Sequence, residues 1–273
     1  MTTYNRAQKD VKKMNNAYLN FPQERLKALE QYITTLEIWL ETELQYRQAD
    51  NFIFGVSGGV DSAVIAFLLA RKFKARAIGI MMPSHSHQND LNDAKLVMEA
   101  AGLPYHVVDL TQTHDTLMAA IGEAYNHTGD TMKDRVIFGN NSARLRMTTL
   151  YTVAQTRNGV VVGTDNAVEW HTGYFTKFGD GGVDIAPLIH LDKDEVFALA
   201  KMLGVPQQII DKKPSAGLWE AQTDEDEMGV TYAALNRHLR GEAVTEAELA
   251  RISYWHDRSH HKRAMPRFPE KPY

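Results

Sequence analysis

Apolar residues recur along this chain in two alternating patterns. Short apolar runs typical of buried strands occupy residues 51–57, 75–82, 105–110 and 159–163. Segments with apolar residues at helical spacing separate these runs, at 60–73, 91–101, 114–125 and 142–156. Because strands that alternate with helices form βαβ units, the pattern predicts a mostly parallel sheet covered by helices.

Further helices are predicted at both ends of the chain. Residues 22–47 carry an apolar stripe at helical spacing: Leu26, Leu29, Ile33, Leu36, Leu40 and Leu44. After residue 192 helical patterns cover 193–203, 224–239 and 245–261, and a polar loop at 212–222 is long enough to be a lid. We therefore expect one α/β domain over residues 1–273, a Rossmann-like, mostly parallel sheet flanked by helices, with additional N- and C-terminal helices.

The first predicted strand runs directly into a turn with two adjacent glycines, Gly58 and Gly59. Main-chain N–H groups in such a turn can approach a ligand closely, and the next helix, from Val60, directs the positive end of its dipole to the same place. An ordinary capped turn between a strand and a helix would also explain the glycines. Ser57 and Ser62 flank the pair, and this combination favours a loop that binds phosphate.

An aspartate, Asp61, stands where the Walker A phosphate loop has a lysine. A carboxylate beside a triphosphate is repelled unless a cation lies between the two. The loop therefore predicts that a nucleotide binds together with Mg²⁺.

Residues 57–62, SGGVDS, resemble the SGGxDS signature of the N-type ATP pyrophosphatases, a group of adenine nucleotide alpha hydrolase-like enzymes. These enzymes split ATP into AMP and pyrophosphate while they adenylate a carbonyl oxygen. GMP, argininosuccinate, asparagine and NAD synthetases share the signature with tRNA-modifying thiolases, so it does not select among them. A protein that binds an adenine nucleotide without catalysis is a further alternative.

The composition narrows these classes. A net charge of −4 disfavours a nucleic-acid-binding surface, and with it a tRNA thiolase. The 273 residues include no cysteine, whereas the common glutaminases use a cysteine nucleophile, so we expect no glutaminase domain and a separate source of ammonia. No apolar run is long enough to span a membrane, and the first 20 residues lack the apolar core of a signal peptide, which predicts a cytoplasmic protein.

Residues 160–188 are dense in glycine, threonine, aspartate and aromatic residues, unlike a core element. Thr164 follows the fourth predicted strand, where it can contact an adenine edge or a phosphate. Glu169 follows about one helical turn later, placed to bind the same cation as Asp61. A glycine-rich hairpin with capping aspartates would also account for residues 178–184.

This block makes the resemblance specific. Residues 163–184 follow the pattern GTDxAxExxTGxFTKxGDGGxD, which is similar to the central signature of the NAD synthetases. Segments that agree with the same family lie at 141–147, 214–216, 224–232 and 261–263. The resemblance covers about residues 21–263 and implies an ammonia-dependent ligase. In such an enzyme ATP adenylates the nicotinate carboxylate of deamido-NAD, pyrophosphate leaves, and ammonia then displaces AMP to form NAD.

The resemblance also implies individual roles. Contacts to ATP are implied for Gly55, Val56, Ser57, Gly58, Gly59, Val60, Asp61, Ser62, Thr164, Lys193 and Ser215. Contacts to deamido-NAD are implied for Arg144, Lys177, Asp184, His261 and Lys262. Mg²⁺ would bind Asp61 and Glu169, and the catalytic residues would be Asp61, Lys193 and Ser57. Ser215 stands where the family usually has threonine.

The family is homodimeric, and the apolar stripe of residues 22–47 is suited to a two-fold helix interface. The resemblance places His261 and Lys262 within reach of a substrate from their own or from a neighbouring subunit. Because water would hydrolyse an adenylate, we expect the loops at 83–90 and 212–222 to close over the site.

Four histidines raise the question of a metal site. His85 and His87 stand in one loop, and His256 and His260 lie four residues apart on a predicted helix. Neither pair has a third ligand nearby in the sequence, so solvated or nucleotide-facing histidines are the favoured interpretation. The acidic run at 224–227 is interpreted as a helix N-terminus rather than a metal site.

Overall fold

The structure, a computed structural model, describes residues 20–126, 128–212 and 224–271. In these ranges four strands form one parallel sheet in the order β3-β2-β1-β4: β1 (Asn51–Gly55), β2 (Ala77–Met81), β3 (Tyr105–Val107) and β4 (Gly159–Val162). The predicted parallel α/β arrangement is confirmed.

Helices cover both faces of the sheet and extend the chain at each end. They are α1 (Gln23–Arg47), α2 (Val60–Lys72), α3 (Gln88–Ala101), α4 (Thr111–Ile121), α5 (Thr131–Thr156), α6 (Ala167–Thr172), α7 (Lys193–Leu203), α8 (Gln207–Ile210), α9 (Asp224–Met228), α10 (Tyr232–Leu239) and α11 (Glu246–Arg258). Single 3₁₀ turns occupy Gly122–Ala124 and His260–Lys262. Among the described residues no helix has both the length and the apolar character needed to cross a membrane.

The central strand β1 shows how the sheet divides the core into two layers. Phe52 and Phe54 are fully buried on one face, where they belong to a cluster with α1, α2, α3 and α7. Ile53 is fully buried on the other face, in a cluster with Leu150 and Ala154 of α5. Successive side chains of a strand point to opposite faces, so an uninterrupted apolar run is what a strand covered on both sides requires.

The apolar stripe of α1 belongs to the core of this same chain. Its members Leu29, Ile33, Leu36, Leu40 and Leu44 are all buried against the helices on the Phe52 face. The expectation that this stripe supplies a two-fold helix interface is therefore wrong, because the stripe is already covered within one chain. Helical periodicity identified the face that is buried but not the surface that buries it.

Helix termini account for most differences from the predicted boundaries. The predicted helix at 224–239 is two helices, because Gly229 adopts a positive φ of 67° and the Thr231 side chain then caps α10 by accepting from Ala234 N. Helix α5 begins well before residue 142, at Thr131, with Asp130 as its N-cap. The short helices α6 and α8 were not predicted, since each is too short to show a helical period.

Gly58 lets the phosphate loop lie directly against α3. Its φ is +82°, and an added Cβ would lie 2.7 Å from the carbonyl oxygen of Asp90 and 2.9 Å from the backbone nitrogen of Ala94. A Cβ on Gly59 would meet only Ser57 Oγ, at 3.3 Å. The interpretation that both glycines clear space for a ligand is therefore corrected for Gly58, which clears space for the backbone of α3.

We expect Gly58→Ala to lower the free energy of unfolding by about 2–4 kcal/mol, because it combines a left-handed backbone with a clash against main-chain atoms. Gly59→Ala, in the same loop, should cost less than about 1 kcal/mol. Urea denaturation followed by circular dichroism measures both. Equal losses in the two variants would contradict the role assigned to Gly58.

Candidate active site

A cavity of about 1380 Å³ opens at the carboxyl ends of β1, β2 and β4. Its wall includes the loop after β1, Pro83 after β2 and Thr164 after β4. Ligands of open parallel sheets bind at this edge. The volume exceeds that of a typical pocket for one small molecule and leaves room for two nucleotide-sized substrates.

Hydrogen bonds between two serines shape the loop after β1. Ser62 Oγ lies 3.1 Å from Ser57 Oγ and donates to the carbonyl oxygen of Gly59 (3.0 Å). Gly59 N donates to Ser57 Oγ (3.2 Å). The N-cap residue of α2, Gly59, has no side chain to cap the helix, and the first-turn residues Val60, Asp61 and Ser62 line the cavity. Among the described residues no side chain accepts from the N–H groups of this turn. An anion is the natural acceptor for such a terminus.

The centre of the cavity wall is an ammonium group between two carboxylates. Lys193 Nζ donates to Asp61 Oδ2 (2.6 Å) and lies 3.5 Å from Glu169 Oε1. The lysine side chain is 4% exposed and each carboxylate 17% exposed. The three residues come from the N-terminal turns of α2, α6 and α7, which the parallel sheet brings to the same edge. The structure therefore joins the two predicted metal ligands and the predicted catalytic lysine in one cluster.

The surroundings shift the pKa values of this cluster. Burial raises the pKa of Glu169 to about 8, although Lys193 opposes this shift. Burial alone would lower the pKa of Lys193, but Asp61 and Glu169 outweigh it and raise the pKa above its ordinary value. Asp165, also in the cavity wall, has its pKa raised by burial and by nearby Asp180 and Glu169. Carboxylates outnumber cations here, so the site favours a further cation.

Asn166 orients the two carboxylates and was missed in the sequence. It is fully buried, and its Nδ2 donates to Asp61 Oδ1 (2.9 Å). Its Oδ1 accepts from Glu169 N (3.1 Å), while Asn166 N donates to Glu169 Oε2 (3.1 Å), which forms a capping box at the start of α6. The signal was present as asparagine followed three residues later by glutamate.

The donor set at Asp61 and Glu169 fits Mg²⁺. Mg²⁺ binds proteins through one or two carboxylates and completes its shell with waters and substrate phosphates. Asp61 and Glu169 both line the cavity beside the uncapped end of α2. Each carboxylate oxygen that accepts one hydrogen bond keeps a second lone pair for a cation.

Most residues that the resemblance assigns to ATP line the cavity: Gly55, Val56, Ser57, Gly59, Val60, Asp61, Ser62, Thr164 and Lys193. Gly58 faces α3 instead. Ser215 and most of the predicted lid, from residue 213, lie outside the described residues. Lys212, at the start of that loop, lines the cavity and pairs with Asp90 and Asp93, both at 2.8 Å.

The residues assigned to deamido-NAD divide into two groups. His261 and Lys262 line the cavity, where Lys262 Nζ donates to the carbonyl oxygens of Gly173 (2.7 Å) and Phe175 (2.5 Å). Three others are not part of the cavity wall: Arg144, Lys177 and Asp184. Lys177 Nζ donates to the carbonyl oxygen of His261, and Arg144 Nε to that of Lys177 (3.4 Å).

Asp184 and Ile185 lie beside β4, at the edge of the sheet. The Asp184 carboxylate accepts from Val161 N (2.8 Å) and from the hydroxyl of Tyr151 (3.1 Å). The neighbouring residue Ile185 forms an isolated parallel bridge with Val162 of β4. The role of Asp184 seen here is to hold this segment in register with β4, and its contact with a dinucleotide stays a prediction.

The two C-terminal histidines, His256 and His260, lie in different environments. His256 stacks on His171 with ring centroids 4.3 Å apart, and its Nδ1 lies 2.9 Å from the carbonyl oxygen of His171, whereas His260 is exposed. The acidic run at 224–227 begins α9, as interpreted, and Asp224 accepts from the hydroxyl of Tyr232 (2.7 Å).

Comparison with known proteins identifies the family. The pattern of the NAD synthase family matches residues 32–266. The NH₃-dependent NAD⁺ synthetase of Mannheimia succiniciproducens is 46% identical over 88% of this chain and 96% of its own length. This chain belongs to the NAD synthase family.

Solved structures agree with this membership. The NMN synthetase of Francisella tularensis superposes with a TM-score of 0.83 at 42% identity, covering 89% of this chain and 99% of that protein. The NH₃-dependent NAD synthetase of Campylobacter jejuni gives a TM-score of 0.72 at 28% identity, with the same coverage. The proteins similar to this chain thus include synthetases named for two different products, NMN and NAD.

His171, on the same helix as Glu169, makes the stability of the protein depend on pH. Burial, together with His256 and His238, lowers the pKa of His171 to about 4. An unfolded histidine titrates near 6.5, so between these values the unfolded chain binds more protons. The contribution of His171 to stability is therefore present above pH 6.5 and is lost as the pH falls towards 4.

Between pH 6.5 and pH 4 we expect the unfolding free energy of the wild type to fall by about 1–2 kcal/mol more than that of His171→Gln. This difference is smaller than the full pKa shift would give, because the ring is only partly buried. Urea titrations at several pH values measure this. His260→Gln, an exposed histidine nearby, is the control and should keep the wild-type profile. Parallel profiles for wild type and His171→Gln would refute the assignment.

Proposed function

We propose that this chain is an ammonia-dependent ligase that amidates deamido-NAD to NAD and converts one ATP to AMP and pyrophosphate. The observation that carries the proposal is the Asp61–Lys193–Glu169 cluster beside the uncapped N-terminus of α2. Membership of the NAD synthase family supports the choice of substrates and reaction.

In the first step an oxygen of the nicotinate carboxylate attacks the α-phosphorus of ATP. The bond from that phosphorus to the bridging oxygen breaks, and the electron pair leaves with pyrophosphate. The first-turn N–H groups of α2 and the ammonium of Lys193 stabilise the charge that develops on the departing phosphates. Ser57 and Ser62 hold the loop in the shape that presents these groups.

In the second step ammonia attacks the carbonyl carbon of the acyl-adenylate, AMP leaves, and the nitrogen loses a proton to form the amide. No covalent bond to the enzyme is needed, which suits a sequence without cysteine. Asp165 and Asp224 also line the cavity, and a carboxylate of this wall can accept that proton.

Asp61 and Glu169 would hold Mg²⁺, which supplies Lewis-acid polarisation of the phosphate oxygens. Among the described residues one lysine, Lys193, pairs with these two carboxylates, which without a cation would repel the triphosphate. Asp61, Glu169 and Lys193 together favour an enzyme over a protein that only senses an adenine nucleotide, because a sensor has no leaving group to stabilise.

The oligomeric state, the domain organisation and the cellular location are proposed from the resemblance to the family. We infer a homodimer, one synthetase domain over residues 1–273 and a cytoplasmic location. The interface would use surfaces other than the buried stripe of α1. The outer side of this helix is exposed at Ile38 (60%) and Tyr46 (81%).

A second candidate substrate is the mononucleotide acid whose amidation gives NMN. The structure with a TM-score of 0.83 is named an NMN synthetase, and the NAD synthetase of C. jejuni scores 0.72. In addition, Arg144, Lys177 and Asp184 do not line the cavity, which leaves the second half of a dinucleotide with fewer of its expected contacts.

The choice is tested by incubating the purified chain with ATP, Mg²⁺ and ammonium and with either deamido-NAD or nicotinic acid mononucleotide. Formation of NAD with equimolar AMP and pyrophosphate supports the proposal. A higher kcat/KM with the mononucleotide assigns the second candidate. Pyrophosphate release only with a different acceptor, or none with any, would overturn both.

Asp61→Asn should lower the rate of AMP formation by about a hundredfold or more, because it removes a carboxylate that positions the cation on the leaving group. The fold should persist, since Glu169 still pairs with Lys193. Discontinuous assays of AMP and pyrophosphate measure the rate, and circular dichroism checks the fold. Asp211→Asn, an exposed aspartate at the end of α8, is the matched control. Wild-type turnover in a folded Asp61→Asn protein would contradict the role.

A further inference from the structure

Two histidines and an aspartate converge outside the cavity. His85 lies in the loop after β2, and His114 and Asp115 lie on α4. The nearest ligating atoms of the three side chains all lie within 4.8 Å of one another. None of the three lines the cavity, so the nucleotide site does not account for them.

The ring of His114 is held with one nitrogen directed at the cluster. It is 4% exposed, and its Nε2 lies 3.4 Å from the carbonyl oxygen of Phe138. Its Nδ1 lies 3.3 Å from Asp115 Oδ1. A histidine that binds a metal through one ring nitrogen usually has an acceptor such as a backbone carbonyl beside its other ring nitrogen, as His114 has in Phe138.

The spacing agrees with metal coordination. Bonds of about 2.0–2.1 Å in a tetrahedral site put two ligand atoms about 3.3 Å apart. That is the separation of His114 Nδ1 and Asp115 Oδ1. His85 Nε2 lies closer to Asp115 Oδ1, at 2.7 Å, as a hydrogen bond requires, and would move outward by about half an ångström when a metal replaces the shared proton.

The backbone fixes His85 in this position. Its φ is +52°, uncommon for a residue other than glycine, and its backbone N–H donates to Thr111 Oγ1 at the start of α4 (3.3 Å). The rings of His85 and His114 meet edge to face with centroids 5.5 Å apart. The His85 side chain is 54% exposed, so a metal ion can reach it from solvent.

We propose that His85, His114 and Asp115 form a binding site for a divalent transition metal such as Zn²⁺. Two imidazoles and one carboxylate suit Zn²⁺ rather than Mg²⁺, and water completes the fourth position. The metal joins the loop after β2 to α4. Pro83, Ser86 and His87 of that loop line the cavity, so the metal holds one wall of the nucleotide site from outside.

The test uses the untagged full chain, freed of metal by chelation, and isothermal titration calorimetry with Zn²⁺ in excess Mg²⁺ to occupy sites built from oxygen ligands. We expect one equivalent of Zn²⁺ for the wild type and at least about tenfold weaker binding for His85→Gln and for Asp115→Asn. Both altered residues are exposed, so the fold is kept. His106→Gln is the control, because this exposed histidine faces the guanidinium of Arg157 and should leave binding unchanged.

Co²⁺ absorption provides a second readout. Wild type and His106→Gln should develop the visible bands of four-coordinate Co²⁺, and the two ligand variants should lose them. The proposal is overturned if the wild type takes up no Zn²⁺, or if His85→Gln and Asp115→Asn bind it as tightly as the wild type. In either case the cluster only joins the loop after β2 to α4 through hydrogen bonds.

Discussion

The buried ammonium of Lys193 is the contact on which the rest of the site depends. A lysine that is 4% exposed is tolerated only where carboxylates neutralise it, and here Asp61 and Glu169 do so from two other helices. A buried charge left without any partner is strongly destabilising, so the pairing of Lys193 with both carboxylates holds α2, α6 and α7 in a fixed relation. The same pairing puts the two proposed metal ligands and the ammonium that would stabilise the leaving phosphates in one wall of the cavity.

The arrangement of helix N-termini extends this constraint. Asn166 caps α6 and donates to Asp61, and Asp192 caps α7 through a capping box with Glu195 just before Lys193. The start of α2 has no such side-chain cap. Two helix ends thus have side-chain caps, while among the described residues no side chain accepts from the first turn of the third. This contrast, more than the presence of glycines, supports the proposal that a phosphate binds there.

Much of the fold and part of the site could be predicted from the sequence. The alternation of apolar runs and helical periods gave the parallel sheet, and the rule that ligands bind at the carboxyl ends of strands brought Asp61 and Glu169 together. Lys193 was assigned through the resemblance, because no local pattern links it to residues more than 100 positions earlier. Asn166 could have been found from its capping box with Glu169.

Other features depend on packing that no local pattern encodes. The stripe of α1 has the period of an interface helix, but whether a second chain or the same chain covers it is decided by the position of α2 and α7. Likewise, His85 stands about 30 residues before His114 and Asp115, and only the path of the chain through β3 brings them together. Gly58 was correctly expected to need its small size, but the neighbour that requires it is α3.

The central claim is that a cation must join the triphosphate to the Asp61–Lys193–Glu169 wall, and calorimetry of ATP binding tests it most directly. The wild-type protein should bind ATP with Mg²⁺ at least about tenfold more tightly than ATP in excess chelator, because two carboxylates face the phosphates without it. Equal affinity with and without Mg²⁺ would contradict the account.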